Sequence, residues 1–323
     1  MKAIVTTQYG PPEVLQLGEI ATPTPAADQV LIKLYASSVN PLDSFMLRGP
    51  LFFLPSLGKL LKPKHKVIGA DIAGRVESVG KDIKKFRPGD EIFGASGGGF
   101  AEYVCATEDR LALKPANLSF EEAAAVPVAA ITALQGLRDH GRIEPGQSVL
   151  IDGASGGVGT FAVQIAKSFG AEVTAVCSPG NVDKARLIGA DHVIDYTQVD
   201  FTQSGQRYDL ILGVNAHHSI FDYRRALRRN GIFVMVGGSF ARILQAASLA
   251  PLLSRLGSKK MRFFIAKINT NDLVLLKDLL ESGALAPVID RRYPLSEAAE
   301  ALRYREAGHA KGKVVIAIEP AKL

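Results

Sequence analysis

The chain has 323 residues, 47% hydrophobic and 22% charged, the balance of an ordinary globular protein of about two domains, which excludes disordered, collagen-like and low-complexity classes. Its formal net charge of +6 permits attraction to phosphate-bearing ligands, is modest for this length, and does not by itself indicate nucleic-acid binding. Cys105 and Cys177 are the only cysteines, which excludes a disulfide-stapled scaffold and any zinc site of three or four thiolates, and makes a reducing cytoplasm the expected compartment.

At the N-terminus Ala3, Ile4 and Val5 form the only apolar run, too short for a signal-peptide core. No uncharged apolar stretch reaches the ~18 residues of a membrane span, because the best candidate, 123–134, is short and contains Pro127. Short strands are expected over 2–7 and 29–39, where Val30, Ile32 and Leu34 alternate with other residues, separated by turn clusters such as Gly10-Pro11-Pro12 and Arg87-Pro88-Gly89-Asp90. From Phe120 the texture changes to an Ala-rich helix over 121–137, with Ser119 and Glu122 spaced as a capping box. A domain boundary near residue 122 follows.

Beyond it, strands at 148–151, 172–177, 192–194, 209–212 and 232–236 alternate with helices at 157–169 and 182–187, the pattern of βαβ units and a parallel sheet. Arg224, Arg225, Arg228 and Arg229 precede Asn230-Gly231 and read as a positively charged helix C-terminus closed by glycine. Lys259, Lys260 and Arg262 read as a solvated run before a strand at 261–268, followed by a helix over 272–282 with Leu273, Leu276, Leu279 and Leu280 on one stripe. Strands at 287–291 and 313–318 are placed to return to the first domain.

The sharpest motif is Val149-Leu150-Ile151-Asp152-Gly153-Ala154-Ser155-Gly156-Gly157-Val158-Gly159. An apolar strand enters a glycine-rich turn and then a helix, the context in which backbone N–H groups approach a pyrophosphate. Ala154 stands at the first fingerprint glycine, and Gly156 and Gly159 hold the other two. The alternative is a tight strand–helix turn with no ligand. The next strand, 172–177, ends without the acid that usually binds an NAD ribose, whereas Ser178, Asn181 and Lys184 can donate to a 2′-phosphate. NADP(H) is therefore preferred over NAD(H). Glu172, at the strand's start, is expected to face solvent.

Across nearly its whole length the chain resembles the zinc-independent quinone oxidoreductase branch of the medium-chain dehydrogenase/reductases, including bacterial NAD(P)-dependent alcohol dehydrogenase-like and enone reductase-like members. The segments that carry this are Ser37 to Asp43, Gly69 to Val76 with Val79-Gly80, Phe86 to Asp90, Ala125-Val126-Pro127, the glycine turn, Leu187 to Asp191, and Gly308 to Val315. The resemblance implies an α/β fold with a discontinuous GroES-like β-rich catalytic domain (1–122 and 269–323) around a Rossmann NADP(H)-binding domain (123–268). It implies an active site in the cleft between them and a homodimer that pairs strand 261–268 across subunits.

Zinc-dependent relatives carry a Cys, a His-Glu pair and a third thiolate or imidazole where this chain has Asn40, Ala70-Asp71 and Val128. Such a set does not suit catalytic zinc, so no metal is expected. Asp43 and Asp71 are expected to brace backbone turns. Without a Lewis acid, the implied chemistry is hydride transfer from NADPH to a small-molecule quinone or α,β-unsaturated carbonyl. Alternatives are alcohol or aldehyde oxidoreduction, which should need metal, and a non-catalytic NADPH-binding sensor or scaffold. Nucleic acid is not an expected partner.

Asn40 is the candidate catalytic residue, orienting carboxamide, ribose or substrate carbonyl, or else capping the turn before Pro41. Phe45 stands where relatives often have Tyr, so the phenol donor is lost and protonation falls to water. Arg48 is expected to steer an anionic substrate or to bond a loop carbonyl. Phe52 and Phe53, in an apolar stretch over 50–61, wall a substrate pocket or form a packed excursion. Cofactor contacts implied by the resemblance are Val128 and Thr132 at the nicotinamide, Tyr196 at the adenosine phosphate, Val214, Gly237, Gly238 and Phe264 along the strand ends, and Lys313 at the far rim. Pro179-Gly180 replaces a Thr-Arg common in relatives, which weakens discrimination for NADP. Gly213 replaces an Asp. His217 and His218 are expected to be structural or exposed, and Cys177 a small buried hydrophobe.

Overall fold

Strand Gln29–Val39 places Val30, Ile32 and Leu34 on one fully buried face, as its period-two pattern requires. A computed structural model describes residues 1–49, 63, 66–255, 257–308 and 310–318. The stretch carrying Phe52 and Phe53 lies outside the described residues. Two compact units are present: Met1–Ala129 with Ile268–Ser282 and Pro287–Leu323, and Ala130–Lys267 with Gly283–Ala286.

In the first unit, among the described residues, a seven-stranded sheet runs in the order Ile289–Pro294, Lys313–Ala317, Gln29–Val39, Asp71–Val79, Glu91–Ala95, Leu111–Leu113, with Tyr103–Thr107 also on Gln29–Val39. Its core packs Val30, Ile32 and Leu34 against Ile72, Val76 and Ile92. Gly74 is required at its place, because a Cβ there would lie 2.2 Å from the Lys33 carbonyl oxygen. A separate antiparallel pair joins Lys2–Val5 to Gln16–Glu19.

The second unit is a six-stranded parallel sheet in the order His192–Asp195, Glu172–Cys177, Ser148–Asp152, Tyr208–Gly213, Leu227–Met235, Lys260–Phe263. The order reverses between Ser148–Asp152 and Tyr208–Gly213, the topological switch point of a doubly wound sheet, outside whose carboxyl ends ligands bind. The expected α/β class, with a GroES-like unit and a Rossmann-like unit, is the one found.

Four local expectations are corrected. The helix expected over 121–137 is broken into Phe120–Ala124, Pro127–Gln135 and a π-helical turn Gly136–His140. Pro127 lacks an N–H and opens a new helix rather than continuing the old one. The arginines at 224–229 do not all end a helix: Ile220–Ala226 stops before buried Leu227, which pairs with Tyr208, so Arg228 and Arg229 lie in strand Leu227–Met235. The strand expected over 261–268 is Lys260–Phe263; further on, the Gln135 amide bonds both backbone groups of Lys267, at 2.7 and 3.0 Å, in place of a ladder. Finally, Lys259, Lys260 and Arg262 are anchored rather than simply solvated, each donating to a backbone carbonyl.

Ile211 is fully buried in Tyr208–Gly213, whereas Leu187 is 86% exposed. Ile211→Ala is expected to lower unfolding stability by about 2–5 kcal/mol and Leu187→Ala by less than about 0.5 kcal/mol, read by urea denaturation.

Candidate functional site

Strand Ser148–Asp152 ends at the switch point, and the glycine turn follows it directly. Gly156 is the N-cap of helix Gly157–Ser168, in extended conformation, and the helix has no acidic residue in its first turn. Ser155, Gly156, Gly157 and Val158 are half-buried, while Ala154 is buried beneath them. A Cβ on Gly156 would meet nothing within 4 Å, whereas one on Gly159 would lie 2.1 Å from the Gly153 carbonyl oxygen. One glycine thus keeps the turn open to a ligand, and the other lets helix and strand close together. Unpaired N–H groups at a helix N-terminus with no competing carboxylate fit a pyrophosphate.

On the neighbouring strand, Val214 and Asn215 donate their N–H groups to the Asp152 carbonyl at 2.9 and 3.1 Å. Gly237 and Gly238 close the same edge: Gly237 N–H reaches Gly213 O at 3.2 Å, and Gly238 bridges to Ala216. Beneath lies a feature that the sequence reading did not single out. The buried Asp152 carboxylate accepts the Tyr223 hydroxyl. Burial raises Asp152 from an ordinary value of 3.8 to about 6, opposed by the Tyr223 bond and by His218 and His217. Burial and this carboxylate push the Tyr223 phenol well up. His218 lies edge-on to Phe201 and Tyr223, with Asp200 3.8 Å from its Nε2, and His217 offers its carbonyl to Arg242.

At the end of Glu172–Cys177, Ser178 and Lys184 are half-buried and Tyr196 is 60% exposed. Asn181 is buried, with its Nδ2 donating to Ser178 Oγ at 2.8 Å; it orients Ser178 in this arrangement. Glu172 is exposed and meets His192 at 2.9 Å. Cys177 is 2% exposed and its thiol is raised by burial, with Asp195 adding to the effect. Thr132 is half-buried in Pro127–Gln135, and Phe264 stacks on His140 with ring centroids 4.0 Å apart.

In the first unit the residues at the metal-ligand positions do come together, on a carboxylate. Asp71, 0% exposed, accepts Asn40 Nδ2 at 2.8 Å, Ser38 Oγ at 2.5 Å and Lys313 Nζ at 3.1 Å on Oδ2, and the Val128 N–H at 2.8 Å on Oδ1. Lys313, 3% exposed, also donates to Asn40 Oδ1 at 2.7 Å. Asn40 is thereby fixed at both ends of its amide. Asn40 is also the N-cap of helix Pro41–Arg48 and forms a capping box with Asp43, whose carboxylate accepts the Asn40 N–H at 2.6 Å. Among the described residues the buried Asp43 Oδ1 has no hydrogen-bond partner, and burial pushes this carboxyl up to about 7, against the pull of the Asn40 N–H. One carboxylate, an amide and an ammonium are a poor donor set for zinc. Among the described residues no three His, Cys, Asp or Glu side chains group as a metal site. Phe45 is 47% exposed, and Arg48 pairs with Glu306 at 2.8 Å.

Residues 26–116 match the family described as alcohol dehydrogenase GroES-like domain, and 188–316 the one described as zinc-binding dehydrogenase. Over 98% of its length the chain is 37% identical to the 2-methylene-furan-3-one reductase of Solanum lycopersicum, covering 79% of that protein. It is 33% identical to the chloroplastic NADPH-dependent alkenal/one oxidoreductase of Arabidopsis thaliana, with the same two coverages. The solved quinone oxidoreductase of Coxiella burnetii superposes with a TM-score of 0.86 at 31% identity over 99% of both chains. The chain belongs to the quinone oxidoreductase and alkenal/one oxidoreductase branch of the medium-chain dehydrogenase/reductases. Among the described residues, the buried Lys313 ammonium is the cation at the Asn40–Asp71 cluster.

Two predictions follow from the buried acids. Lys313→Met leaves the Asp71 carboxylate buried without its cation and is expected to cost about 3–5 kcal/mol, while Lys313→Met with Asp71→Asn regains part of that loss in urea unfolding. Between 3.8 and about 7 the native chain holds protons on Asp152 and Asp43 that the unfolded chain has released, so stability falls as pH rises through this window. Asp152→Asn should flatten the lower part of that slope, measured by thermal unfolding across the range.

Proposed function

We propose that this chain is a zinc-independent reductase that uses NADPH to reduce quinones or α,β-unsaturated carbonyls. The observation that carries this is the sheet's switch point, where an open glycine turn at a helix N-terminus is followed by a strand that ends without a carboxylate. A bound nicotinamide nucleotide supplies the hydride. The chain's own part is to hold the pyrophosphate on the N–H groups of 155–158 and the 2′-phosphate on Ser178 and Lys184. Tyr196 lies beside the adenosine, and Val214, Gly237 and Gly238 border the strand ends. Asn40, locked by Lys313 and Asp71, acts as a fixed polar anchor and not as a mobile acid or base. Val128, whose N–H is held by Asp71, offers a helix surface to the nicotinamide, and Thr132 of the same helix is a second candidate contact.

Reduction of an activated alkene needs no Lewis acid, which suits a cluster whose cation among the described residues is an ammonium. The alkenal/one and furanone reductase names of the relatives agree with this substrate class. The proposal extends to a homodimer through Lys260–Phe263, an edge strand that pairs on one side only among the described residues. It also extends to a reducing compartment, in which both cysteines stay free; one relative is named as chloroplastic. Among the described residues no helix is long and apolar enough to cross a membrane.

The test is a panel of enones, enals and quinones assayed by loss of reduced-nucleotide absorbance. NADPH is expected to be used in preference to NADH, turnover to be insensitive to chelators, and Lys184→Ala to raise the KM for NADPH about tenfold while leaving that for NADH unchanged. Chelator-sensitive oxidation of alcohols with stoichiometric zinc would replace this reading with the metal-dependent one. Tight NADPH binding with no turnover on any acceptor would replace it with a sensor.

A further inference from the structure

The ladder that joins Lys260–Phe263 to Leu227–Met235 ends at Phe263, opposite Met235. Residues 264–267 leave the strand's carboxyl end in no regular structure, yet three fastenings hold this stretch to one place, the end of helix Pro127–Gln135 and the π-helical turn Gly136–His140. Arg262 Nη1 donates to the His140 carbonyl at 2.5 Å. The Phe264 ring stacks on His140, 18° from parallel. Burial and Arg262, against Asp139, hold the His140 imidazole below its ordinary range, so both rings are neutral at pH 7. The third fastening is Gln135, whose Nε2 donates to the Lys267 carbonyl at 2.7 Å while its Oε1 accepts the Lys267 N–H at 3.0 Å. Gln135 is 8% exposed, and an amide so placed is costly unless donor and acceptor are both used. An apolar side chain of the same size would pack there and could bond neither group.

The sheet fixes where this segment stands. Its strands are parallel, so their carboxyl ends share one side, with neighbours about 4.8 Å apart. The glycine turn follows Ser148–Asp152, and Ser178 follows Glu172–Cys177 on one side of it. With the adenosine on that side, the other half of an extended dinucleotide runs the opposite way, over the ends of Tyr208–Gly213 and Leu227–Met235. Lys260–Phe263 is the next strand, about 14 Å from Ser148–Asp152, and residues 264–267 border the nicotinamide end. A second glutamine makes the same clasp elsewhere: Gln164 donates to the Ala286 carbonyl at 3.0 Å and accepts the Ala286 N–H at 2.8 Å. It lies well along helix Gly157–Ser168, about 10 Å from the end that faces the pyrophosphate.

We propose that Gln135 is a positioning residue for the nicotinamide half of the nucleotide, acting through the Lys267 backbone, where its amide takes the place of the missing ladder. The proposal rests on the nucleotide reading above. Calorimetric titration of the full chain with NADPH and with adenosine 2′,5′-bisphosphate, which has no nicotinamide, tests it. Gln135→Ala is expected to raise the Kd for NADPH about tenfold and that for the bisphosphate by less than about twofold. Gln164→Ala, which removes the same kind of clasp, should leave the ratio of the two constants unchanged. In Gln135→Glu the neutral carboxyl can still donate to the carbonyl and accept the N–H, whereas the carboxylate can only accept. Its ratio should therefore match the unaltered chain at about pH 5 and worsen as pH rises toward about 8, a slope absent from the unaltered chain. Equal weakening of both ligands by Gln135→Ala overturns the proposal, as does an equal change of the ratio in Gln164→Ala or a ratio in Gln135→Glu that ignores pH. Failure of the unaltered chain to bind either ligand would remove the nucleotide reading itself, and the proposal with it.

Discussion

The Asp71 carboxylate is the constraint on which the first unit's site depends. It is fully buried, and a carboxylate so placed must be matched by donors on nearly every side. Those donors come from separate places in the chain: Ser38 and Asn40 at the end of Gln29–Val39, Val128 in the first turn of Pro127–Gln135, and Lys313 at the start of Lys313–Ala317. Asp71 itself opens strand Asp71–Val79. One anion therefore fixes three strand ends and the beginning of a helix, and through Asn40 it also sets where helix Pro41–Arg48 starts. Because Lys313 donates to Asn40 Oδ1 and Asn40 Nδ2 donates to Asp71, the Asn40 amide cannot rotate without losing a buried hydrogen bond at each end.

The second unit is organised around a different kind of acid. Asp152 ends the strand at the switch point, and its backbone carbonyl receives the turn at 214–215, while its side chain is sealed beneath by Tyr223. The two sides of the sheet's switch point are thus tied through one residue. Glycines do the rest where side chains would collide, as Gly159 shows against Gly153.

Much of this was legible in the sequence, for physical reasons that differ by residue. The glycine turn is local: a strand, a run of small residues and a helix suffice to predict it, and the parallel order around it follows from βαβ alternation. The family resemblance supplied the GroES-like unit, whose strands come from distant segments. Helix ends governed by one residue were misread where that residue was underweighted, as at Pro127. The basic run at 224–229 misled because buried Leu227 decides where the helix stops, and burial is not visible in a charge pattern. Long-range polar partnerships were invisible as pairs. Lys313 carried a signal even so, a lone cation at the head of the apolar run Val314-Val315-Ile316, and so did Asp152 after Val149-Leu150-Ile151; charges in such settings call for buried partners.

The claim that an activated alkene receives hydride at its β-carbon directly from the nucleotide is tested most directly by isotope tracing. Reduction of an α,β-unsaturated ketone with nucleotide deuterated at the nicotinamide C4, in ordinary water, should place one deuterium on the β-carbon and a hydrogen from water on the α-carbon, as read by mass spectrometry and NMR. A product without deuterium at the β-carbon, or deuterium on the carbonyl carbon of an allylic alcohol, would contradict the account.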